Sequence, residues 1–184
     1  GRMMSKLPID VRLSKIILFG YIFKVLDDAV IIASGLSVRS IFKQQNQQRL
    51  NAYEMKFELG QGSSDCIAIL NAYKKWRAIM DAQGDYYHKK VQETNFCEEF
   101  NLDTKSLNDM QKQIDDIHKR LYHSGLVNDE QVTDCNESQF LLKICIAGAF
   151  YPNFYIFGGK IPDREAFNTL IYKNPCTTVF YMGF

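Results

Sequence analysis

Residues able to do chemistry are scattered along this chain rather than clustered. His88, His118 and His123 have no cysteine at ligand spacing, and His118 and His123, five apart, fall on different helical faces. They read as solvated or capping histidines. Asp115-Asp116 suggests a pair of acids for proton transfer. Lys119 and Arg120 stand four residues on, however, which makes a solvated, charge-paired helix face. Neither G-x-x-x-x-G-K-[ST] nor G-x-G-x-x-G occurs, so no phosphate-binding loop is expected, and Gly60-Gln61-Gly62 reads as a turn. Asn136-Glu137-Ser138 matches the glycosylation sequon, but nothing else points to secretion. Trp76 stands at helical spacing and reads as core in preference to a base-stacking platform. Tyr151 and Asn153 remain. A turn role is their default, and nucleic-acid contact is the sharper reading. No catalytic residue and no metal ligand emerges.

The elements that hold these residues are mostly helical. Leu7-Pro8-Ile9-Asp10 is extended, because the residue before proline avoids the helical region. Asp10 then caps a helix whose apolar face is Ile16, Phe19, Ile22 and Phe23. A second apolar helix follows Val25-Leu26-Asp27-Asp28, with Asp27 and Asp28 as its caps. The pair makes a buried hairpin, because charges interrupt it before the ~18 to 20 apolar residues of a membrane span. Lys43 to Gln48 is a polar loop or frayed helix, and Leu50 to Leu59 a short helix. Ser63-Ser64-Asp65 starts a helix carrying Ile69, Tyr73, Trp76 and Met80 on one face, ended by Gly84. Asp85 to Asn95 has weak periodicity, and Phe96 to Phe100 spans only one or two helical turns. Leu107, Met110, Ile114, Ile117 and Leu121 mark the clearest helix, with Gly125 just past its end.

After Leu126 the pattern changes. Val127 to Ser138 is a polar, acidic linker. Phe140 to Ala149 is a continuous apolar run, and Thr177 to Tyr181 is β-branched and aromatic, hence a strand. The expected organisation is mainly α: a helical bundle over 1–126, a linker over 127–138, and a partial β segment over 139–184.

The chain of 184 residues is 46% hydrophobic, enough for a packed core, and its net charge is +1. That charge is lopsided. Residues 1–49 carry eight Lys/Arg against three Asp, and the remainder fourteen Lys/Arg against eighteen Asp/Glu. The asymmetry is either an ordinary solvated surface or a local anion-binding face. Five scattered cysteines, Cys66, Cys97, Cys135, Cys145 and Cys176, without C-x-x-C, fit free thiols in a reducing compartment, cytosol or nucleus. Gly1-Arg2-Met3-Met4-Ser5 has no apolar h-region, so no signal peptide is expected.

Four blocks, in order and at consistent spacing, resemble the C-terminal helicase-associated region of DEAH-box RNA helicases. They are LPIDVRLSKIILFGYIFKVLDDAVIIASGLSVRSIF (Leu7–Phe42), SSDCIAILNAYKKW (Ser63–Trp76), FCEEFNLDTKSLNDMQKQIDDI (Phe96–Ile117) and KICIAGAFYPN (Lys143–Asn153). The second block and IAGAFYPNFYIFGG most resemble the tudor-containing Spindle-E branch. The resemblance implies a helical ratchet bundle, followed by a strand at Lys143–Asn153 that opens an oligonucleotide-binding (OB) fold. It implies that ATP and magnesium are bound by motor domains outside these residues, and that the fragment itself needs no cofactor. Single-stranded RNA, the motor and winged-helix domains of the same chain, and proteins of the piRNA pathway are the implied partners. No membrane is implied. The implied location is the cytoplasm of germ cells, in perinuclear granules. RNA contact carries over to Ser64, Asp65, Lys105, Tyr151 and Asn153. Cys66 stands where the family commonly has His, and Lys105 where relatives tend to carry Arg, so a bidentate phosphate contact becomes a point-charge one. Two readings follow: an RNA-path module of an ATP-dependent helicase, or a scaffold of the same ancestry that docks proteins. The near-neutral charge and Cys66 favour the scaffold, and the basic first third favours RNA.

Overall fold

The first helix, α1 (Val11–Ile22), starts as its sequence directs: the Asp10 carboxylate accepts the Arg12 N–H at 2.7 Å. The chain is described here from a computed structural model, which covers residues 10–43, 59, 64–125 and 139–151. The buried face of α1 is Leu13, Ile16, Ile17 and Gly20, rotated from the expected one. Ile22 and Phe23 are exposed and Phe19 is half-buried. Gly20 sets this rotation. A Cβ there would lie 2.3 Å from the Cβ of Ala29, so the glycine is where the next helix comes closest.

α1 closes in a Schellman motif. Lys24 takes the left-handed conformation at φ 59°, and the Val25 N–H reaches back to the Gly20 carbonyl at 2.8 Å. α2 (Leu26–Ser37) begins at once. Asp27 and Asp28 lie inside its first turn, and no side chain caps it. They act on the helix dipole rather than as caps. Asp28 also pairs with Lys74 at 2.6 Å.

α2 is the hub of the bundle, packing against α1, α3, α5 and α6. α3 (Asp65–Asp81) buries Ile69, Tyr73 and Trp76 as its spacing predicts. α5 (Thr104–His123) buries all five residues of its expected stripe and ends with Gly125 at φ 70°. Of its two expected ion pairs, Arg120–Asp116 forms at 2.8 Å, while Asp115 accepts from Gln111 at 2.8 Å. A Cβ on Gly35 would approach both Ile69 of α3 and Met110 of α5. Near the other end of α2, Asp28 meets Lys74 and Asp27 comes within 4.0 Å of His118. Both helices therefore run antiparallel to α2 and parallel to each other.

Two further expectations are corrected. α4 (Tyr86–Glu99) is one continuous helix of 14 residues rather than a short helix at Phe96. Its sequence is polar nearly throughout and buries only Glu93, Phe96 and Cys97, so no apolar rhythm announces it. Polar contacts seat it instead. The buried Glu93 accepts from the Trp76 indole at 3.0 Å and from Lys90 at 2.7 Å. The second correction is α6 (Gln139–Phe150), a helix over most of the block expected as a strand at Lys143–Asn153. A continuous apolar run suits a buried strand or a buried helix equally by periodicity. Leu142, Cys145, Ile146, Ala149 and Phe150 pack inward at helical spacing, and α6 rests on α1. The bundle thus takes in residues expected to belong to the β segment. The expectations for Lys43–Gln48 beyond Lys43, for the helix leading to Leu59, for Gly60-Gln61-Gly62, for 127–138 and for the strand at Thr177–Tyr181 lie outside the described residues.

Candidate nucleic-acid interface

The parallel run of α3 and α5 brings their two N-termini to one end of the bundle. Each presents backbone N–H groups without helical partners and the positive end of a helix dipole. At α3, the Ser64 hydroxyl accepts the Cys66 N–H at 3.2 Å, and Asp65 occupies the first turn. At α5, the Asp103 carboxylate accepts the Ser106 N–H at 3.1 Å and the Ser106 hydroxyl at 2.7 Å. Lys105 is exposed in the first turn.

The chain leaving α2 joins this end. The Lys43 N–H donates to the Asn101 carbonyl at 2.9 Å, and the Asp103 N–H to the Ile41 carbonyl at 2.8 Å. The Asn101 amide returns a bond to the Lys43 carbonyl at 3.0 Å. Asn101 takes the left-handed conformation at φ 52°, which Asn tolerates better than most residues. Arg39 and Lys43 are thereby set, both exposed, beside the start of α5. The hydroxyl and amide of Ser106 hold the Asp103 carboxyl below its usual value against burial, with help from the Lys105 amide and the charge of Lys43. Cations and carboxylates are interleaved here: Arg39, Lys43 and Lys105 against Asp65, Asp103, Glu98 and Glu99. This arrangement can bind phosphate by point charges and helix N-termini.

Three of the five residues singled out by sequence, Ser64, Asp65 and Lys105, therefore share one end of the bundle. Tyr151 is elsewhere. It follows α6, which packs on α1 and α2, whereas α3 and α5 pack on α2. Asn153 lies outside the described residues. Cys66 is wholly buried, so this position, expected to differ from the family's His, faces the core. Trp76 is core as its spacing indicates. Cys97 and Cys145 are buried free thiols whose pKa burial pushes up, inert fillers of the core. Sequence reasoning did not name Arg39 and Lys43. The signal available for them was the excess of positive charge in the first 49 residues.

Residues 10–124 match the family described as helicase associated domain (HA2), ratchet-like. The match takes in α1 to α5 and the whole candidate interface, and stops short of α6. The chain is 42% identical over 192 residues to a Culex quinquefasciatus protein named "Probable ATP-dependent RNA helicase spindle-E". It is 40% identical to the Aedes aegypti protein of that name and 38% to the Anopheles gambiae one. Each comparison covers all of this chain and 13 to 14% of the relative. The chain thus spans about an eighth of the length of these relatives. With a buried hairpin of α1 and α2 at its centre and a match over residues 10–124, the chain belongs to the ratchet-like helicase-associated (HA2) family.

Proposed function

We propose that this chain is the RNA-path module of an ATP-dependent RNA helicase of the piRNA, transposon-silencing type. Single-stranded RNA passes the end of the bundle where α3 and α5 begin. The observation that carries this reading is the convergence there of two parallel helix N-termini with Arg39, Lys43 and Lys105. Phosphates approach the positive ends of the two helix dipoles and the lysines, and Ser64 and Asp65 fix the start of α3. Tyr151, which directly follows α6, and Asn153 are further RNA contacts in this reading. ATP and magnesium act in motor domains outside this chain, against which the bundle packs. The parent works in germ-cell cytoplasm, in perinuclear granules, among proteins of the same pathway.

The second reading, a scaffold that docks proteins, draws on two features of the same end. Cys66 withdraws into the core, and the four carboxylates outnumber the three cations. Fluorescence anisotropy with single-stranded RNA across a salt series separates the two. RNA handling gives micromolar binding whose logarithm falls linearly with log salt, by about 0.7 per phosphate contacted. Lys43→Glu with Lys105→Glu then weakens binding at least tenfold and flattens the slope. Absence of binding at low salt, or binding indifferent to the pair, favours the scaffold.

A further inference from the structure

α3 and α5 each pack on α2 but scarcely on one another. Packing on the hub therefore positions each of them separately. A polar chain ties them together. The Tyr73 hydroxyl of α3 donates to the side-chain carbonyl of Gln111 on α5, and the Gln111 amide donates to the Asp115 carboxylate, one turn further on, at 2.8 Å. The polarity of this chain is set at its exposed end. A carboxylate only accepts, so Asp115 takes the amide hydrogens and turns the amide oxygen toward Tyr73. Packing fixes the other end. Tyr73 is nearly buried, its ring 5.8 Å from that of Trp76.

Tyr73 stands eight residues after Asp65, and Gln111 seven after Thr104. These separations are about 12 Å and about 10 Å along parallel axes. Counted back from the bond they share, the two helices start at nearly the same level. We propose that Tyr73 and Gln111 are positioning residues for the RNA end of the bundle: their hydrogen bond holds the starts of α3 and α5 level, so that both meet the phosphates of one strand. This role rests on the RNA-path reading and extends it to two side chains that touch no RNA. Without the tie, either helix can slip along α2 and draw its positive end back from the strand. The attraction of a helix dipole fades within one turn, so a small slip removes a phosphate contact.

Fluorescence anisotropy with single-stranded RNA tests this on the full 184-residue chain, in Tyr73→Phe, Gln111→Leu and the double variant, with a urea midpoint for each. Tyr73→Phe keeps the ring in the core. The double variant leaves neither partner unpaired, so it separates loss of the tie from the cost of an orphaned group. Loss of one phosphate contact flattens the slope of log affinity against log salt by about 0.7 and weakens binding about fivefold at 0.1 M salt. All three variants should show both changes, and the double variant no more than either single one. A merely structural role lowers the folded fraction and leaves the slope as it was. Wild-type affinity and slope in the double variant, or weaker binding at an unchanged slope, overturn the proposal while the RNA-path reading stands. A wild type that binds no RNA at low salt overturns that reading, and the role of the tie with it. If Tyr73→Phe lowers the urea midpoint, Gln111→Leu, at a half-buried site, is read by the same criteria.

Discussion

α2 and α4 are helices of similar length held in opposite ways. α2 is apolar nearly all round, touches four other helices, and approaches its neighbours through Gly20 of α1 and its own Gly35. α4 is polar nearly all round and buries three residues, one of them a glutamate. The hub is fixed by shape, the outer helix by a few directed bonds. Shape-fixed contacts fail when an atom is added, and bond-fixed contacts fail when one is removed.

The largest expected effect breaks the hub. Gly20→Ala improves helix propensity by about 1 kcal/mol. It also drives a methyl to 2.3 Å from the Ala29 Cβ and 3.2 Å from the Val25 carbonyl oxygen. Neither neighbour has a rotamer with which to withdraw, so the helices must part. Overpacking typically costs up to about 3 kcal/mol, and a clash with backbone belongs at the upper end. The net expectation is a loss of about 2 kcal/mol, read as a lower urea midpoint.

Next comes the loss of α4's anchor. Glu93→Ala leaves the Trp76 indole N–H buried without its acceptor, a penalty of about 2 kcal/mol. Lys90 is 54% exposed and returns to water at little cost. Glu93→Gln retains an acceptor for the indole and loses about half as much. If the contrast between the helices holds, exchange accelerates in α4 well before α2. Equal acceleration in both would make α4 part of the same cooperative unit as the hub.

This contrast also explains what could be read from the chain before its fold was known. The α1–α2 hairpin and α5 are legible because burial requires an apolar rhythm, and Ser64 and Asp103 because helix starts require side-chain acceptors. α4 is not legible, since its anchor joins Trp76 to Glu93 across two helices. α6 was read in the wrong state because its apolar residues run without interruption. The end of the bundle where α3 and α5 begin is legible at Ser64, Asp65 and Lys105, which share it. Lys43 reaches it through pairing with Asn101, 58 residues away, which no local pattern records. The expected face of α1 was displaced because one glycine, rather than the bulkiest residues, decides where α2 packs.

A smaller effect sharpens the comparison at the helix ends. Lys24 and Asn101 hold the same position in two Schellman motifs, after α1 and after α4. A left-handed lysine costs roughly 1 kcal/mol that glycine does not. Lys24→Gly should therefore raise stability by about 1 kcal/mol in a urea titration. Asn101→Gly should gain nothing, because it gives up the bond from the Asn101 amide to the Lys43 carbonyl.

The smallest effect is a titration. Asp103 follows α4 and caps α5, and its carboxyl is held below the ordinary value chiefly by the Ser106 hydroxyl, then by backbone amides and Lys43. The unfolded chain takes up this proton first as pH falls, so the carboxylate stabilises the fold above the unfolded value near 4. That contribution fades as pH drops through the lower folded value. Asp103→Asn keeps an oxygen for the Ser106 N–H and removes the charge, so it reads what the charge adds to the Ser106 bonds, to the attraction of Lys43 and at the helix start, about 0.5 kcal/mol. Wild type should exceed Asp103→Asn by that amount at pH 7, and the two urea midpoints should converge near pH 3. Asp10 is lowered in the same sense at the start of α1, its largest support being the Arg12 N–H, and it is common to both proteins. Its titration therefore cancels in the difference. A gap that persists undiminished to pH 3 would mean that the substitution acts through the hydrogen bonds of Ser106 rather than through charge. The α4–α5 corner would then be held by geometry, as the hub is.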